Sequence, residues 1–293
     1  MNLLIVGCGD LGTELGLRAL AAGHRVHGLR RRAEVLPDAF LPISADLGAD
    51  LPPLPPDIEV VVFTTAADSR DVDAYRRAYV TATGRVLDGL ERAGSTPQRV
   101  LFTSSTAVYG VDDGSEVDED TPTQPASATG EVLVEAEQAL WARRPDAVSL
   151  RLAGVYGPGR TRLIDQVREG RARRPDRVIH TNRIHRDDAA AALLHLAGLP
   201  ATPASPASPA SPANPATCYL GVDDEPAPLA EVVAFLAAEL GLPPPPVGEV
   251  SRSRGGDKRC RNARLRGTGW VPAYPSYREG YRAVLAGEGT RHP

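Results

Sequence analysis

Three glycines near the start of the chain have the spacing of a phosphate-binding turn. The apolar run 3–6 leads into Gly7-x-Gly9-x-x-Gly12, and an apolar stripe then continues at helical spacing. In such a strand, turn and helix, the first glycine allows the turn, the second lets a diphosphate approach the backbone, and the third lets helix and strand pack closely. The pattern predicts a dinucleotide-binding turn, with the diphosphate at the helix start, formed by Gly7, Cys8, Gly9, Asp10, Leu11 and Gly12.

A cluster of arginines follows the next predicted strand, which covers residues 25–29. About 20 residues after the glycines, proteins that bind NAD place an Asp or Glu on the ribose 2′-hydroxyl. This chain has Arg30, Arg31 and Arg32 there instead. Guanidinium groups pair with a 2′-phosphate that an acidic group would repel. The arginines therefore favour NADP as the cofactor over NAD, with a solvated basic patch as the structural alternative.

Small and hydroxyl-bearing residues follow two further predicted strands. The fourth predicted strand ends before Thr65 and Ala66, and the fifth ends before Ser105 and Thr106. The carboxyl ends of parallel strands form the edge of the sheet where α/β proteins bind ligands. We therefore expect Thr65 and Ala66 to contact the cofactor. We expect Ser105 and Thr106 to hydrogen-bond a substrate oxygen, with ordinary loop hydroxyls as the alternative.

Three side chains are candidates for transferring a proton. Tyr109 lies four residues beyond Ser105, and Tyr156 lies in the loop after the sixth predicted strand. His185 has the pKa of about 6.5 that suits proton transfer at neutral pH. Each has a structural alternative: packing for the two tyrosines, and for His185 a fixed position beside the helix that begins near Asp187.

Strand-like apolar runs alternate with helical patterns through the first half of the chain, which is typical of a parallel sheet with crossover helices. We therefore predict an α/β fold, a doubly wound parallel Rossmann sheet with a smaller, discontinuous C-terminal substrate lobe. The Rossmann domain covers residues 1–152, with 184–222 returning to it, and the smaller lobe covers 153–183 and 223–293. Residues 200–216 repeat a Ser-Pro-Ala triplet, which predicts a Pro/Ala/Ser-rich loop.

The composition excludes several classes of protein. The 293 residues suffice for a full core, and a formal net charge of -4 argues against a general nucleic-acid-binding surface. Cys8, Cys218 and Cys260 are too few and too scattered for a disulfide framework or a zinc site, so we predict no metal. No apolar run approaches the ~20 residues that a membrane helix needs. We therefore expect a cytoplasmic protein with a small-molecule substrate, as a monomer or a homodimer.

Several strings resemble one superfamily, and they occur in its order along the chain. Besides the glycine turn they are Ser104-Ser105-Thr106-Ala107-Val108-Tyr109-Gly110, Val117-Asp118-Glu119-Asp120-Thr121-Pro122, Gly154-Val155-Tyr156-Gly157-Pro158-Gly159, Ile184-His185-Arg186-Asp187-Asp188 and Leu265-x-x-x-Gly269-Trp270-x-Pro272. The chain resembles the extended short-chain dehydrogenase/reductases of the NAD(P)-dependent epimerase/dehydratase family, within them the NDP-sugar epimerase-like subgroup. The resemblance implies a Rossmann fold, contact of Asp46 and Leu47 with the adenine, and a nicotinamide pocket shaped by Tyr156 and Gly157.

This sequence departs from the family pattern at the acid/base residues. The resemblance implies a tyrosine with a lysine one helical turn later, which lowers the tyrosine pKa, and a serine that aligns with Ser105. Thr129 stands where the tyrosine is expected and Leu133 where the lysine is expected. An aliphatic hydroxyl is too weak an acid to replace the phenol, and leucine carries no charge.

Two functions are compatible with these residues. The first is an NADP(H)-dependent oxidoreductase or epimerase-like enzyme acting on a small hydroxyl- or carbonyl-bearing substrate or a sugar nucleotide. Hydride then passes between the nicotinamide and a carbon held over Ser105 and Thr106. Lys258, Arg259 and Asn262 are candidates for holding an anionic substrate group, with a solvated loop as the alternative. The alternative is a non-catalytic NADP-binding sensor or partner-binding protein, in which turnover has been lost together with the tyrosine and lysine.

Overall fold

The computed structural model describes residues 1–200, 217–250 and 255–293. The predicted Pro/Ala/Ser-rich loop at 200–216 therefore lies, apart from its first residue, outside the described residues. Strands are numbered β1 to β13 and α-helices α1 to α9 in chain order.

A central sheet of seven parallel strands carries most of the candidate residues. Its strands are β1 (Asn2–Val6), β2 (Arg25–Arg30), β3 (Leu41–Ser44), β4 (Val60–Phe63), β5 (Arg99–Ser105), β7 (Val148–Leu152) and β11 (Cys218–Gly221). They lie in the order β11-β7-β5-β4-β1-β2-β3. The order reverses between β1 and β4, so the predicted doubly wound Rossmann sheet is confirmed, and its topological switch point lies at the carboxyl ends of these two strands.

Helices cover both faces of the sheet. They are α1 (Asp10–Ala21), α2 (Val72–Tyr75), α3 (Ala82–Arg92), α4 (Ala128–Arg143), α5 (Arg162–Arg168), α6 (Arg186–Gly198), α7 (Leu229–Glu239), α8 (Ala263–Gly267) and α9 (Tyr277–Leu285), with 3-10 turns at Ala33–Val35 and Thr106–Val108. One core contains the buried sides of α1 and α6, and the other contains those of α3 and α4. Because strand side chains alternate, Leu3 and Ile5 belong to the first core and Leu4 and Val6 to the second.

The other strands form small pairs. These are β8 (Gly154–Tyr156) with β10 (Arg183–His185), β9 (His180–Thr181) with β12 (Ala227–Pro228), and β6 (Glu116–Val117) with β13 (Arg259–Cys260). A third apolar cluster joins α5, α7 and α9 and includes Leu236, Tyr277 and Tyr281. These helices come from the two segments that the sequence assigns to the smaller lobe, and the division into lobes stays a prediction.

The structure differs from what the sequence pattern predicts in several places. The pattern predicts one helix over 72–93, but the structure divides this segment into α2, a π-helical turn at Arg76–Thr81, and α3. It predicts a Gly- and Pro-bearing loop over 154–159, but this segment begins as β8, because its backbone pairs with β10. Helix α9 is absent from the prediction because its apolar pattern is short, although a capping box formed by Ser276 and Glu279 starts it.

The described residues hold neither a metal-binding cluster nor a membrane-spanning helix. No group of three or more His, Cys, Asp or Glu side chains among them is placed to hold a metal ion. None of their helices is both long and apolar enough to cross a membrane. The cysteines Cys8, Cys218 and Cys260 are buried free thiols.

Candidate functional site

A cleft of about 1030 Å³ opens at the carboxyl ends of the central strands, at the switch point of the sheet. The turn after β1, the arginines after β2 and the residues after β3, β4 and β5 line it, together with Arg160. Most of the predicted cofactor-binding residues line this cleft: Gly7, Gly9, Asp10, Leu11, Arg30, Arg31, Asp46, Leu47, Thr65 and Ala66. The remaining two, Cys8 and Gly12, are not among its lining residues.

The glycine turn brings bare backbone to the cleft. Gly7 has a φ of +75°, which favours glycine, and a Cβ there would lie 2.7 Å from the Cα of Thr65. A Cβ at Gly12 would lie 2.6 Å from Thr64 Oγ1, so glycine is needed where α1 packs on the sheet. A Cβ at Gly9 would meet no atom closer than 3.9 Å, and no side chain caps the helix there. The start of α1 therefore offers unpaired N–H groups to an anion such as a diphosphate.

Two buried hydroxyls of the cleft have no hydrogen-bond partner among the described residues. They are Thr65 Oγ1 and Ser104 Oγ. The two residues are only 7% and 6% exposed. Burying a hydroxyl is costly unless a ligand or water bonds it. Both residues line the cleft. The donors present therefore fit a polar ligand that lies across the ends of β4 and β5.

The two predicted phosphate-binding arginines are both in the cleft, with different partners. Arg30 Nη1 donates to the carbonyl oxygen of Cys8 at 3.2 Å and to the terminal backbone oxygen of Pro293 at 2.7 Å. Arg31 forms a bidentate ion pair with Asp68 at 2.8 and 2.9 Å. The side chains of that pair are 65% and 71% exposed, and exposed pairs contribute at most about 1 kcal/mol. Arg31 is therefore available to a stronger anionic partner.

Cys8 contributes its backbone rather than its thiol. Its side chain is fully buried beside Thr13, and burial raises the pKa of the thiol to about 12. A thiol with that pKa stays protonated and unreactive at neutral pH. The carbonyl of Cys8 instead holds Arg30 at the edge of the cleft.

The structure brings Ser105 to the cleft and leaves Thr106 outside it. Ser105 Oγ accepts a hydrogen bond at 3.2 Å from the backbone N–H of Ala107 and caps the 3-10 turn that follows β5. That bond uses the oxygen as an acceptor, so the hydroxyl proton is left for a ligand oxygen. Thr106 is buried and is not among the lining residues of the cleft, so its contact with a substrate oxygen stays a prediction.

Tyr109 points into the protein core rather than into the cleft. Its phenol oxygen accepts a hydrogen bond at 2.6 Å from Arg151, which pairs with Glu137 at 2.6 and 2.9 Å. None of the three residues is more than 1% exposed, and burial raises the pKa of the Tyr109 phenol. Its placement matches the packing alternative and gives it no contact with a ligand in the cleft.

Tyr156 and His185 pack against each other behind the cleft. Their rings are nearly perpendicular with centroids 5.3 Å apart, and Tyr156 also lies 4.5 Å from the ring of Tyr281. His185 Nδ1 accepts a hydrogen bond from the backbone N–H of Asp187 and so caps α6. Burial lowers the pKa of His185 to about 4 and raises that of Tyr156. The structure therefore places both groups in fixed structural positions and not among the cleft residues.

Three residues are expected to hold an anionic group of the substrate, and each donates a hydrogen bond to a backbone carbonyl. Buried Lys258 donates to the carbonyl of Tyr109 at 2.5 Å, Arg259 to that of Gly114 at 2.9 Å, and Asn262 to that of Val222 at 3.0 Å. None of the three lines the cleft. Their role in the structure is to tie β13 and α8 to neighbouring loops, which corrects the sequence-based expectation.

Tyr79 and Arg160 are among the cleft residues that the sequence analysis did not single out. Tyr79 lies in the π-helical turn after α2, with its ring against that of Phe102 in β5. Burial raises the pKa of Tyr79 to about 12, so the phenol is a hydrogen-bond donor at neutral pH. Arg160 reaches the cleft from the turn after β8. Neither carries a sequence signal, since one lies in a helical run and the other in a polar loop.

A family model matches the sequence over about two thirds of its length. The model of the NAD dependent epimerase/dehydratase family matches residues 3–203. The chain belongs to this family. The resemblance to extended short-chain dehydrogenase/reductases of the epimerase/dehydratase type is thus confirmed.

Solved structures and a characterised relative extend the similarity along nearly the whole chain. A Methylobacillus flagellatus protein whose structure is named for an NAD-dependent epimerase/dehydratase is 34% identical, with 98% of each chain covered and a TM-score of 0.74. MoeE5, solved in complex with UDP-glucuronic acid and NAD, is 25% identical over 96% of this chain and 97% of its own, with a TM-score of 0.76. A 3-diazoavenalumate denitrifying reductase from Streptomyces sp is 27% identical over 96% of this chain and 99% of the reductase.

Proposed function

We propose that this chain is an NADP(H)-dependent oxidoreductase or epimerase-like enzyme for a small hydroxyl- or carbonyl-bearing substrate or a sugar nucleotide. One observation carries the proposal: a single cleft joins the glycine turn, the arginines after β2 and the unpartnered hydroxyls after β4 and β5. The family, the NAD and UDP-sugar held by MoeE5, and the reductase activity named for the Streptomyces protein all support a nicotinamide coenzyme and a small polar substrate.

The preference for NADP rests on the residues at the end of β2. Arg30, Arg31 and Arg32 all line the cleft, at the place where an acidic residue would select NAD. A doubly charged 2′-phosphate is a stronger partner for Arg31 than the exposed carboxylate of Asp68. Binding of NADP would exchange one ion pair for another at little cost.

Two hydroxyl groups of the cleft are suited to orienting a substrate oxygen. When bound, the nicotinamide supplies or accepts the hydride. Ser105 has a proton to donate to a carbonyl or alcohol oxygen, and the protonated phenol of Tyr79 can donate another. Tyr109, Tyr156 and His185 lie outside the cleft, and burial raises the pKa of Tyr79 to about 12. We therefore assign the hydrogen bonds to Ser105 and Tyr79 and the proton transfer to water.

The rival function is a non-catalytic NADP-binding sensor or partner-binding protein. It is favoured by Thr129 and Leu133, which stand where the family pattern expects tyrosine and lysine. Thr129 shares a hydrogen bond with Ser127, and Leu133 is buried in an apolar cluster with Val108 and Tyr109. NADPH binding without oxidation by a panel of carbonyl compounds and sugar nucleotides would favour this rival over the enzyme.

Replacing Arg31 tests the coenzyme assignment. Arg31→Gln should raise the Kd for NADPH about tenfold and change that for NADH by less than about threefold, because only NADPH carries the phosphate that the guanidinium binds. Both constants are measured by nucleotide fluorescence. Arg25→Gln is the matched control, since Arg25 begins β2, which ends just before Arg31, and is also 65% exposed and ion-paired.

Two results would count against the proposal. Equal weakening of NADPH and NADH in Arg31→Gln would refute the 2′-phosphate assignment. Absence of binding by the unaltered protein at millimolar NADPH and NADH would remove the proposed function altogether.

A further inference from the structure

Arg160 crosses from the turn after β8 to the start of α1. Its Nε donates to Asp10 Oδ2 at 2.7 Å. Arg160 and Asp10 both line the cleft, next to Gly9. The side chain therefore lies beside the N–H groups at which a diphosphate is expected, although Arg160 and Gly9 are far apart in the sequence.

Asp10 gives the start of α1 a fixed negative charge. Besides Arg160, its carboxylate accepts hydrogen bonds from Arg186 Nη1 at 2.7 Å and from the backbone N–H of His292 at 3.1 Å. Burial opposes ionisation of Asp10, but these hydrogen bonds and charges outweigh it and hold its pKa below the usual value. A diphosphate at this helix start therefore needs a cation nearby to offset Asp10.

The two arginines that pair with Asp10 differ in how many guanidinium nitrogens remain free to bind a ligand. Arg186 is fully buried, and its other nitrogens bond to Asp187 at 2.6 Å and to the carbonyl of Thr290 at 3.0 Å. The side chain of Arg160 is 38% exposed, and its only hydrogen bond to the described residues uses Nε. Both terminal nitrogens of Arg160 thus remain for a ligand, in the fork geometry that suits phosphate oxygens.

We propose that Arg160 binds the diphosphate of the dinucleotide, with Asp10 positioning it. Nε stays on Asp10 while the two terminal nitrogens bond diphosphate oxygens, and the guanidinium charge offsets the carboxylate. The proposal rests on the proposed function, because it requires the coenzyme at the glycine turn. It assigns the residue to the coenzyme rather than to a phosphate of the substrate.

The test compares ligands that share a diphosphate. Arg160→Gln should raise the Kd for NADPH, NADH and ADP-ribose by the same factor, about tenfold, because a charged hydrogen-bond donor to a common group is lost. Arg160→Lys keeps the charge without the fork and should raise all three constants about threefold. Arg162→Gln is the control, since Arg162 is an exposed neighbour that does not line the cleft. NADPH and NADH are followed by fluorescence and ADP-ribose by displacement of NADPH, without substrate.

Each outcome decides the proposal. Unchanged affinities in Arg160→Gln, with NADPH still binding the unaltered protein, overturn the role of Arg160 alone and leave the proposed function standing. A loss confined to NADPH and NADH would place Arg160 at the nicotinamide and contradict the diphosphate assignment. If circular dichroism shows that Arg160→Gln does not fold, Arg160→Lys decides, and wild-type affinity in that variant overturns the proposal. No binding by the unaltered protein is a failure of the proposed function instead.

Discussion

Asp223 is a buried carboxyl group whose environment opposes its charge. It is 2% exposed. Burial raises its pKa to about 8, although the nearby charge of Arg183 and a hydrogen bond from the backbone N–H of Glu225 act in the opposite direction. In the unfolded chain the group has an ordinary pKa of about 3.9. The folded state therefore holds a proton that the unfolded state releases between these values.

Asp223 should make the protein less stable as the pH rises. Between about pH 4 and 8 the folded state binds one more proton than the unfolded state, so the free energy of unfolding falls by about 1.4 kcal/mol per pH unit from this group. Asp223→Asn removes the titration, and its melting temperature should exceed that of the wild type by more at pH 8 than at pH 5. Thermal unfolding across this range measures the difference.

The exposed Asp176 provides the control for that measurement. Asp176→Asn should shift the melting temperature equally at both pH values, because it also removes a carboxyl group but leaves the buried Asp223 in place. A constant difference between Asp223→Asn and the wild type from pH 5 to 8 would contradict the raised pKa.

Residue types and their spacing predict the cofactor-binding turn, but they do not predict where the acid/base candidates point. The glycine spacing predicts the turn because only glycine permits the positive φ of Gly7 and the close packing at Gly12. The direction of Tyr109 is not predictable in that way. It depends on Arg151, which lies on a strand distant in sequence and turns the phenol into the core.

At the scale of elements, a buried ion pair joins β7 to α4. Arg151 and Glu137 are 0% and 1% exposed and bond through two nitrogens and two oxygens. Removing one member of such a pair costs about 3–5 kcal/mol, because the other charge stays buried without its partner. Glu137→Met and Arg151→Met should each lower the melting temperature by about 10 °C. The double variant should lose less than either single variant, since no charge remains uncompensated.

A second pair on the same helix is the control. Glu135 pairs with Arg76 at 3.0 Å, but both side chains are nearly half exposed. Glu135→Met should change stability by less than about 1 kcal/mol. If Glu137→Met cost no more than Glu135→Met in thermal unfolding, the buried pair would not be the link between β7 and α4.

Elements with a strong apolar pattern follow the sequence closely, and short ones do not. The pattern at 148–152 predicts a strand, and this prediction matches β7, whose five residues are all buried. The π-helical turn Arg76–Thr81 has no counterpart in the pattern, since the periods of α- and π-helices are hard to distinguish over six residues. Strands β8, β9 and β10 depend on pairing between distant segments, which local sequence does not encode.

At the scale of the whole molecule, the cleft is assembled from both halves of the chain. The sheet contributes the glycine turn, the arginines and the hydroxyls, whereas Arg160 comes from beyond the sixth strand of the central sheet along the chain. The alternation of strands and helices makes the Rossmann sheet predictable, and the rule for open parallel sheets then places the ligand at the switch point. Which distant side chains meet there becomes visible only in the folded chain.

A crystal structure of the protein with NADPH would show whether the coenzyme binds with its diphosphate at the start of α1. We expect diphosphate oxygens on the N–H groups after Gly9 and on Arg160, with the 2′-phosphate on Arg30 or Arg31. We also expect the nicotinamide near Ser105. NADPH bound elsewhere, or a glycine turn closed by the protein's own side chains in crystals that hold NADPH, would contradict this placement.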